Sequence, residues 1–269
     1  SLESGAILNS GDWSGNTFTS SIWTPAGLIR NMSAAGGGAD NKRFGDVNIV
    51  TSSIASGSSL NLLSMGTEST ANLRYIVDGT VTIAAGATMT LRDGLTLQVN
   101  ANRTLVINGN ATLQPNSQLL FVGSHVNFTT VDVSGTLTAT SATISTTTVT
   151  PYTRLQVKSG GRLIATDSSF SIATLSLESG AILNSGDWSG NTFASSIWTP
   201  AGLIRNMSAA GGGADNKRFG EINIITSSIA SGSSLNLLAM GTVSTANLRY
   251  IVDGTVTIAA GATMTLRDR

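Results

Sequence analysis

The chain has 269 residues, with 15 basic and 15 acidic side chains and a formal net charge of zero. This balance excludes the strongly basic surface with which proteins bind nucleic acids or anionic membranes. The absence of cysteine excludes disulfides, thiolate nucleophiles and cysteine-ligated metal sites. No transmembrane segment is predicted, because no stretch approaches the roughly 18 uncharged apolar residues that such a helix needs.

An internal repeat organises the chain. Residues 1–93 return as residues 176–268 with six differences: Thr19/Ala194, Asp46/Glu221, Val47/Ile222, Val50/Ile225, Ser64/Ala239 and Glu68/Val243. Repeats of this kind are typical of elongated proteins in which each unit contacts its neighbours. We therefore divide the chain into one full repeat, 1–175, and the start of the next, 176–269, within one continuous solenoid. The chain is expected to be an internal piece of a longer tandem array.

The first part of the repeat, residues 1–72, is irregular. It contains SGDWSGNTFTSSIWTPAG and the glycine-rich AAGGGADNKRFG before the strand-like VNIVTSSI and LNLLSM. We predict turns of a β-helix here, with one or two longer excursions on one face.

Residues 73–175 are regular and alternate apolar and polar side chains with period two, as half-buried strands do. Equivalent apolar positions are taken as Ile83, Val99, Pro115, Val133, Val157 and Leu177. A second inward column is taken as Met89, Leu105, Leu119, Leu137, Leu163 and Leu183. The first column gives turns of 16 to 24 residues, about nine turns per repeat, and hence an array period of about 40 Å at the usual strand spacing.

Glycines mark the predicted corners of the turns, because glycine adopts positive φ without steric cost. These corner glycines are Gly86, Gly109, Gly135, Gly160, Gly161 and Gly180. Strands, small corners and stacked apolar columns together predict an all-β fold, a right-handed parallel β-helix with longer loop excursions.

The line LQVKSGGRLIATDSSF and its relatives resemble the degenerate turn repeat of secreted bacterial β-helix adhesins, such as autotransporter passengers and filamentous-haemagglutinin-type proteins. The resemblance covers roughly residues 73–184 and 248–268. It implies a giant extracellular or cell-surface protein used for adhesion, spacing or fibre formation. It carries no catalytic or binding residues, because its motif is a packing pattern.

Tryptophans are the candidate ligand-binding residues. Trp13 and Trp23 return as Trp188 and Trp198, and a pair repeated at a fixed interval would bind sugar rings multivalently. The alternative is that these rings fill space beneath the long excursions.

Catalytic and metal sites are not predicted, and no cofactor is expected. His125 is the only histidine, and Asp40 with Asn41 in GGGADN matches a calcium-binding turn only distantly. The carboxylates Asp132, Asp167 and Glu178 need not align on one face, and Asp12 and Asp46 need not meet. Glu68 becomes Val243 in the second copy, so it is not essential to an activity that both copies share.

The sequence thus favours a non-enzymatic structural segment, a rigid stalk or filament of an extracellular fibre or adhesin. The expected partners are copies of itself, end to end or along a filament, and surface glycans. A multivalent carbohydrate-binding module is the alternative, and a polysaccharide lyase or hydrolase is a third.

Overall fold

A computed structural model shows a parallel β-solenoid in which the chain passes through three sheets in turn. The structure describes residues 1–3, 5–9, 12–32, 41–66, 73–123, 126–148, 152–207, 216–242 and 248–266. All pairings between its named strands are parallel. The predicted all-β parallel helix is therefore confirmed.

Each sheet takes one strand from each successive turn. Sheet A has eight strands: β1 (Ile22–Thr24), β2 (Val47–Ile49), β5 (Arg74–Val77), β8 (Thr96–Val99), β11 (Gln118–Phe121), β14 (Thr143–Thr146), β17 (Ser169–Ser171) and β20 (Thr192–Phe193). Sheet B has nine: β3 (Ser52–Ile54), β6 (Thr80–Ile83), β9 (Thr104–Ile107), β12 (Thr129–Val133), β15 (Thr153–Val157), β18 (Thr174–Leu177), β21 (Ser196–Pro200), β22 (Glu221–Ile229) and β24 (Arg249–Ile258). Sheet C has six: β4 (Ser59–Leu62), β7 (Thr88–Leu91), β10 (Asn110–Leu113), β13 (Thr136–Thr140), β16 (Arg162–Thr166) and β19 (Trp188–Ser189). A further pair joins β23 (Ser234–Leu237) to β25 (Thr263–Leu266).

The turns are longer than the 16 to 24 residues predicted. The shortest paired step is the 20 residues from Leu155 to Leu175, and the longest is the 29 residues from Leu60 to Met89. The predicted first column mixed two sheets and a loop: Val99 pairs with Phe121 in sheet A, and Pro115 lies in a turn between β10 and β11. The column in sheet B is Ile83, Ile107, Val133, Val157 and Leu177.

The second predicted column was also divided among sheets. Leu105 belongs to sheet B and Leu119 to sheet A, whereas Leu137 and Leu163 are paired in sheet C. All of these side chains nevertheless point into the core. Alternation identified the inward residues correctly, because period two fixes the face of a strand and says nothing about which sheet it joins.

The core is a continuous apolar column along the axis of the solenoid. Within sheet B its members stack turn upon turn, each no more than 1% exposed: Leu105, Val131, Leu155, Leu175 and Ile197. The intervening polar residues point outward, which gives these strands their alternating burial.

Glycine serves the corners for two separate reasons. Gly160 has φ of 78°, the left-handed conformation that a side chain disfavours. Gly135 instead lies against the backbone, since a Cβ there would be 2.0 Å from the carbonyl oxygen of Gly109. The sequence prediction gave only the first reason.

The excursions of the two copies begin with short helical segments. A 3₁₀ helix, Ala26–Met32, follows β1, and helix α1, Ala201–Ile204, followed by the 3₁₀ helix Arg205–Met207, occupies the matching place after β21. In the first copy Ala26, Ile29 and Met32 are buried, so the segment covers the core where a strand would otherwise lie.

The junction between the copies is not an interruption. Strand β18 contains residues 174 to 177 and so spans the boundary after residue 175. It pairs with β15 of the first copy and with β21 of the second, which keeps the ladder of sheet B unbroken.

Candidate functional site

The outer surface of sheet B at this junction brings together polar and charged residues from both copies. Register places Asp132, Gln156, Ser176, Trp198 and Asn223 in one column. Because inward and outward positions alternate and Val131, Val133, Leu155 and Val157 are buried, this column faces outward. We refer to this column with its charged neighbours Arg154, Lys158 and Glu178 as the junction surface.

Lys158 lies between two carboxylates of the junction surface. Its Nζ is 3.2 Å from Oε1 of Glu178 and 3.8 Å from Oδ1 of Asp132. Gln156 Nε2 donates to the same Glu178 oxygen at 2.6 Å. Asp132 and Glu178 therefore share one face, which the sequence did not require.

Burial raises the pKa of the Asp132 carboxyl, and nearby Lys158 and Arg154 oppose this increase. Oδ1 of Asp132 is buried and accepts no hydrogen bond, although it lies near the ammonium of Lys158. An under-satisfied buried oxygen favours the protonated acid over the carboxylate. The junction surface thus has a carboxyl group that holds its proton more tightly than an ordinary aspartate.

The tryptophan twins separate into two environments. Trp23 and Trp198 occupy outward positions, where Trp23 is 41% exposed and Trp198 half-buried. Trp198 follows Ser176 in the junction surface, whereas Trp23 stacks against Asn48 and its Nε1 lies 3.4 Å from Oδ2 of Asp78. Only Trp198 has the charged cluster on the turns that precede it.

Trp188 is fully buried in the core, and its Nε1 donates to the carbonyl oxygen of Leu163 at 3.1 Å. Its ring centroid is 4.8 Å from that of Phe193, which stacks between Phe170 and Phe219. Neither ring face is open to a ligand in this structure. Its twin Trp13 is half-buried and packs 5.0 Å from Phe18.

The other acidic candidates are engaged in separate contacts. Asp167 lies 3.5 Å from Nζ of Lys217, and Asp46 forms an ion pair with Arg74 at 2.8 Å. Asp12 accepts from the backbone nitrogen of Asn9, and nothing brings it to Asp46. Among the described residues these carboxylates are distributed over the surface, and Asp132 and Glu178 are the candidate pair that shares one face.

Asn41 is buried and its amide joins neighbouring turns. Its Oδ1 accepts from Asn16 Nδ2 at 3.2 Å, and its Nδ2 donates to the carbonyl oxygen of Trp13 at 3.3 Å. The twin pair Asn191 and Asn216 repeats the contact at 2.9 Å. Asp40, Asp215, Glu68, Val243 and His125 lie outside the described residues.

A shallow groove occurs at equivalent places in both copies. In the first copy it lies between the 3₁₀ helix and strands β3 and β4, lined in part by Gly27, Arg30, Ser53 and Ser58. In the second copy the equivalent residues Gly202, Arg205, Ser228 and Ser233 form it. The recurrence shows that this groove belongs to the repeat and is not an accident of one copy.

Within the described ranges no group of three or more histidine and acidic side chains is arranged to hold a metal ion. The helices in the same ranges are too short and insufficiently apolar to cross a membrane.

Comparison with known proteins gave no match: no protein-family model, no curated protein and no solved structure is similar to this chain.

Proposed function

We propose that this chain is a repeat segment of a large extracellular or cell-surface fibre or adhesin, in which it acts as a rigid stalk or filament. The observation that carries the proposal is the unbroken ladder of sheet B, which passes from β3 to β24 through the boundary between the copies. A repeat whose end continues the hydrogen bonding of its own beginning lengthens a rod without a hinge.

The junction contacts support stiffness. Leu175 is fully buried between Leu155 and Ile197, so the core contains no gap where the copies meet. The ion pairs are also suited to a structural role, because several of them join neighbouring turns. Arg162 Nε, for example, donates to Oδ2 of Asp187 at 3.0 Å across the junction.

Electron microscopy of the protein from its native source tests this proposal. A stalk predicts rods of uniform width, whose surface features recur about every 35 Å at about 4.8 Å per turn. Short, discrete particles would contradict the stalk and shift the weight to a binding module.

A multivalent carbohydrate-binding module is the second candidate, and the position of Trp198 favours it. A half-buried indole beside Ser176 and near Gln156 and Glu178 offers an apolar ring together with hydrogen-bonding groups, the combination that sugars require. In this account each junction between repeats supplies one weak site, and the array makes them strong together.

The tryptophan twins provide a matched test of this second candidate. We expect Trp198→Ala to weaken retention on a printed array of neutral and uronic-acid oligosaccharides about tenfold, the effect of losing roughly 1.4 kcal/mol. Trp23→Ala removes an identical residue without the charged cluster and should leave retention unchanged. Equal effects of both substitutions, or no retained glycan with the unaltered chain, would contradict binding at the junction surface. Far-UV circular dichroism of each variant checks that the fold is intact.

A further inference from the structure

Twin segments of the two copies lie on different sheets. Ile22 belongs to β1 and pairs with Val47 in sheet A. Its twin Ile197 belongs to β21 and pairs with Leu175 and Ile222 in sheet B. The sequences around these residues are nearly identical, so the difference in position comes from the length of chain between them.

The number of turns in one repeat follows from the registers. Starting at Ile22 and moving along sheet A, the partners are Val47, Tyr75, Leu97, Leu119, Ile144, Phe170 and Phe193. These seven steps complete seven turns. Ile197 comes four residues after Phe193, on the next sheet in the order in which the chain visits them.

We infer that one 175-residue repeat makes about seven and a third turns, so that each repeat presents its surface on a face rotated by about one third of a turn from the last. The nine turns per repeat that the sequence predicted are too many, and the rise becomes about 35 Å at about 4.8 Å per turn.

The rotation decides how the array meets a partner, which rests on the proposed function as a tandem array. The groove beside Gly27 and its twin beside Gly202 face different sides of the rod, as do Trp23 and Trp198. Equivalent surfaces return to the same side only after three repeats, about 105 Å apart. A flat surface bearing many ligands therefore engages every third repeat, whereas a partner that surrounds the rod meets one equivalent site about every 35 Å.

Spin labels on the 269-residue chain test the rotation directly, because the absence of cysteine allows a label at any chosen pair of positions. Gly27 and Gly202 are suitable, since a Cβ at either position meets nothing within 4 Å. Ala173 follows β17 at the corner between sheets A and B, in line with Gly27 and six turns from it. The three pairs among Gly27→Cys, Ala173→Cys and Gly202→Cys are measured by double electron–electron resonance.

A rotated repeat makes the three labels a triangle. We expect about 30 Å between positions 27 and 173, about 20–25 Å between 173 and 202, and about 40–45 Å between 27 and 202, from the spacing of turns and the width of one face. Without rotation the labels would lie on one line, with 173 and 202 only about 5–10 Å apart. The collinear result would overturn the rotation and leave the stalk proposal intact. Short particles in native material would overturn the stalk and leave the triangle unchanged.

Discussion

At the residue scale, the twins show how one sequence obtains different surroundings along a solenoid. Trp188 is closed in by Leu163 of the preceding turn and by Phe193, while the turn that would cover Trp13 in the same way is not part of this chain. Buried and half-buried tryptophans therefore arise from identical local sequence. The interpretation of Trp13 and Trp188 as space-filling residues beneath the excursions is the one that fits these contacts.

This difference predicts unequal costs of truncation. Trp188→Ala leaves a cavity and an unpaired carbonyl in the core, and we expect it to lower the free energy of unfolding by about 3–5 kcal/mol. Trp13→Ala should cost only about 1–2 kcal/mol, since part of that ring is already in water. Urea unfolding followed by far-UV circular dichroism measures both, and equal losses would show that Trp188 is not enclosed as described.

The differences between the copies are explained by their contacts. Asp46 pairs with Arg74, and the replacement Glu221 pairs with the twin arginine, Arg249, so the change conserves the ion pair. Val47 and Ile222 are both fully buried, where one added methylene is tolerated. The paired positions 50 and 225 are only half-buried, so the sequence interpretation of both exchanges as core positions holds for the first.

At the scale of elements, the sequence predicted strands and corners well. Alternation found the inward residues, and Asn102 and Asn116 do adopt the left-handed conformation at corners, with φ of 61° and 58°. The grouping of strands into turns could not be obtained in this way. Strands of all three sheets have the same period and composition, so a two-strand step through sheets B and A resembles a full turn.

The junction surface shows the same limit. Asp132 and Glu178 are 46 positions apart, and only the register of β12, β15 and β18 brings both to the outer side of sheet B. Turn lengths between 20 and 29 residues prevent a sequence from fixing that register by counting. The recurrence of the tryptophans was visible in the sequence, whereas their division into inward and outward pairs needed the strand assignments.

At the scale of the whole molecule, the account depends on continuity through the boundary between copies. Sheet B crosses it by the pairing of Thr174 with Ser196, two outward positions on neighbouring turns. Stacked parallel strands place such residues about 4.8 Å apart, within the Cα separation that a disulfide spans. Arg154 is in the same column one turn earlier, about 9.6 Å from Ser196 and beyond that reach.

The most direct test is therefore cysteine crosslinking across the boundary. The double variant Thr174→Cys/Ser196→Cys should form an intramolecular disulfide rapidly under mild oxidation, detected by loss of free thiols and by mass spectrometry. The control Arg154→Cys/Ser196→Cys should remain reduced under the same conditions. Failure of the first pair to close, or equal closure of both pairs, would contradict a continuous solenoid through the two copies.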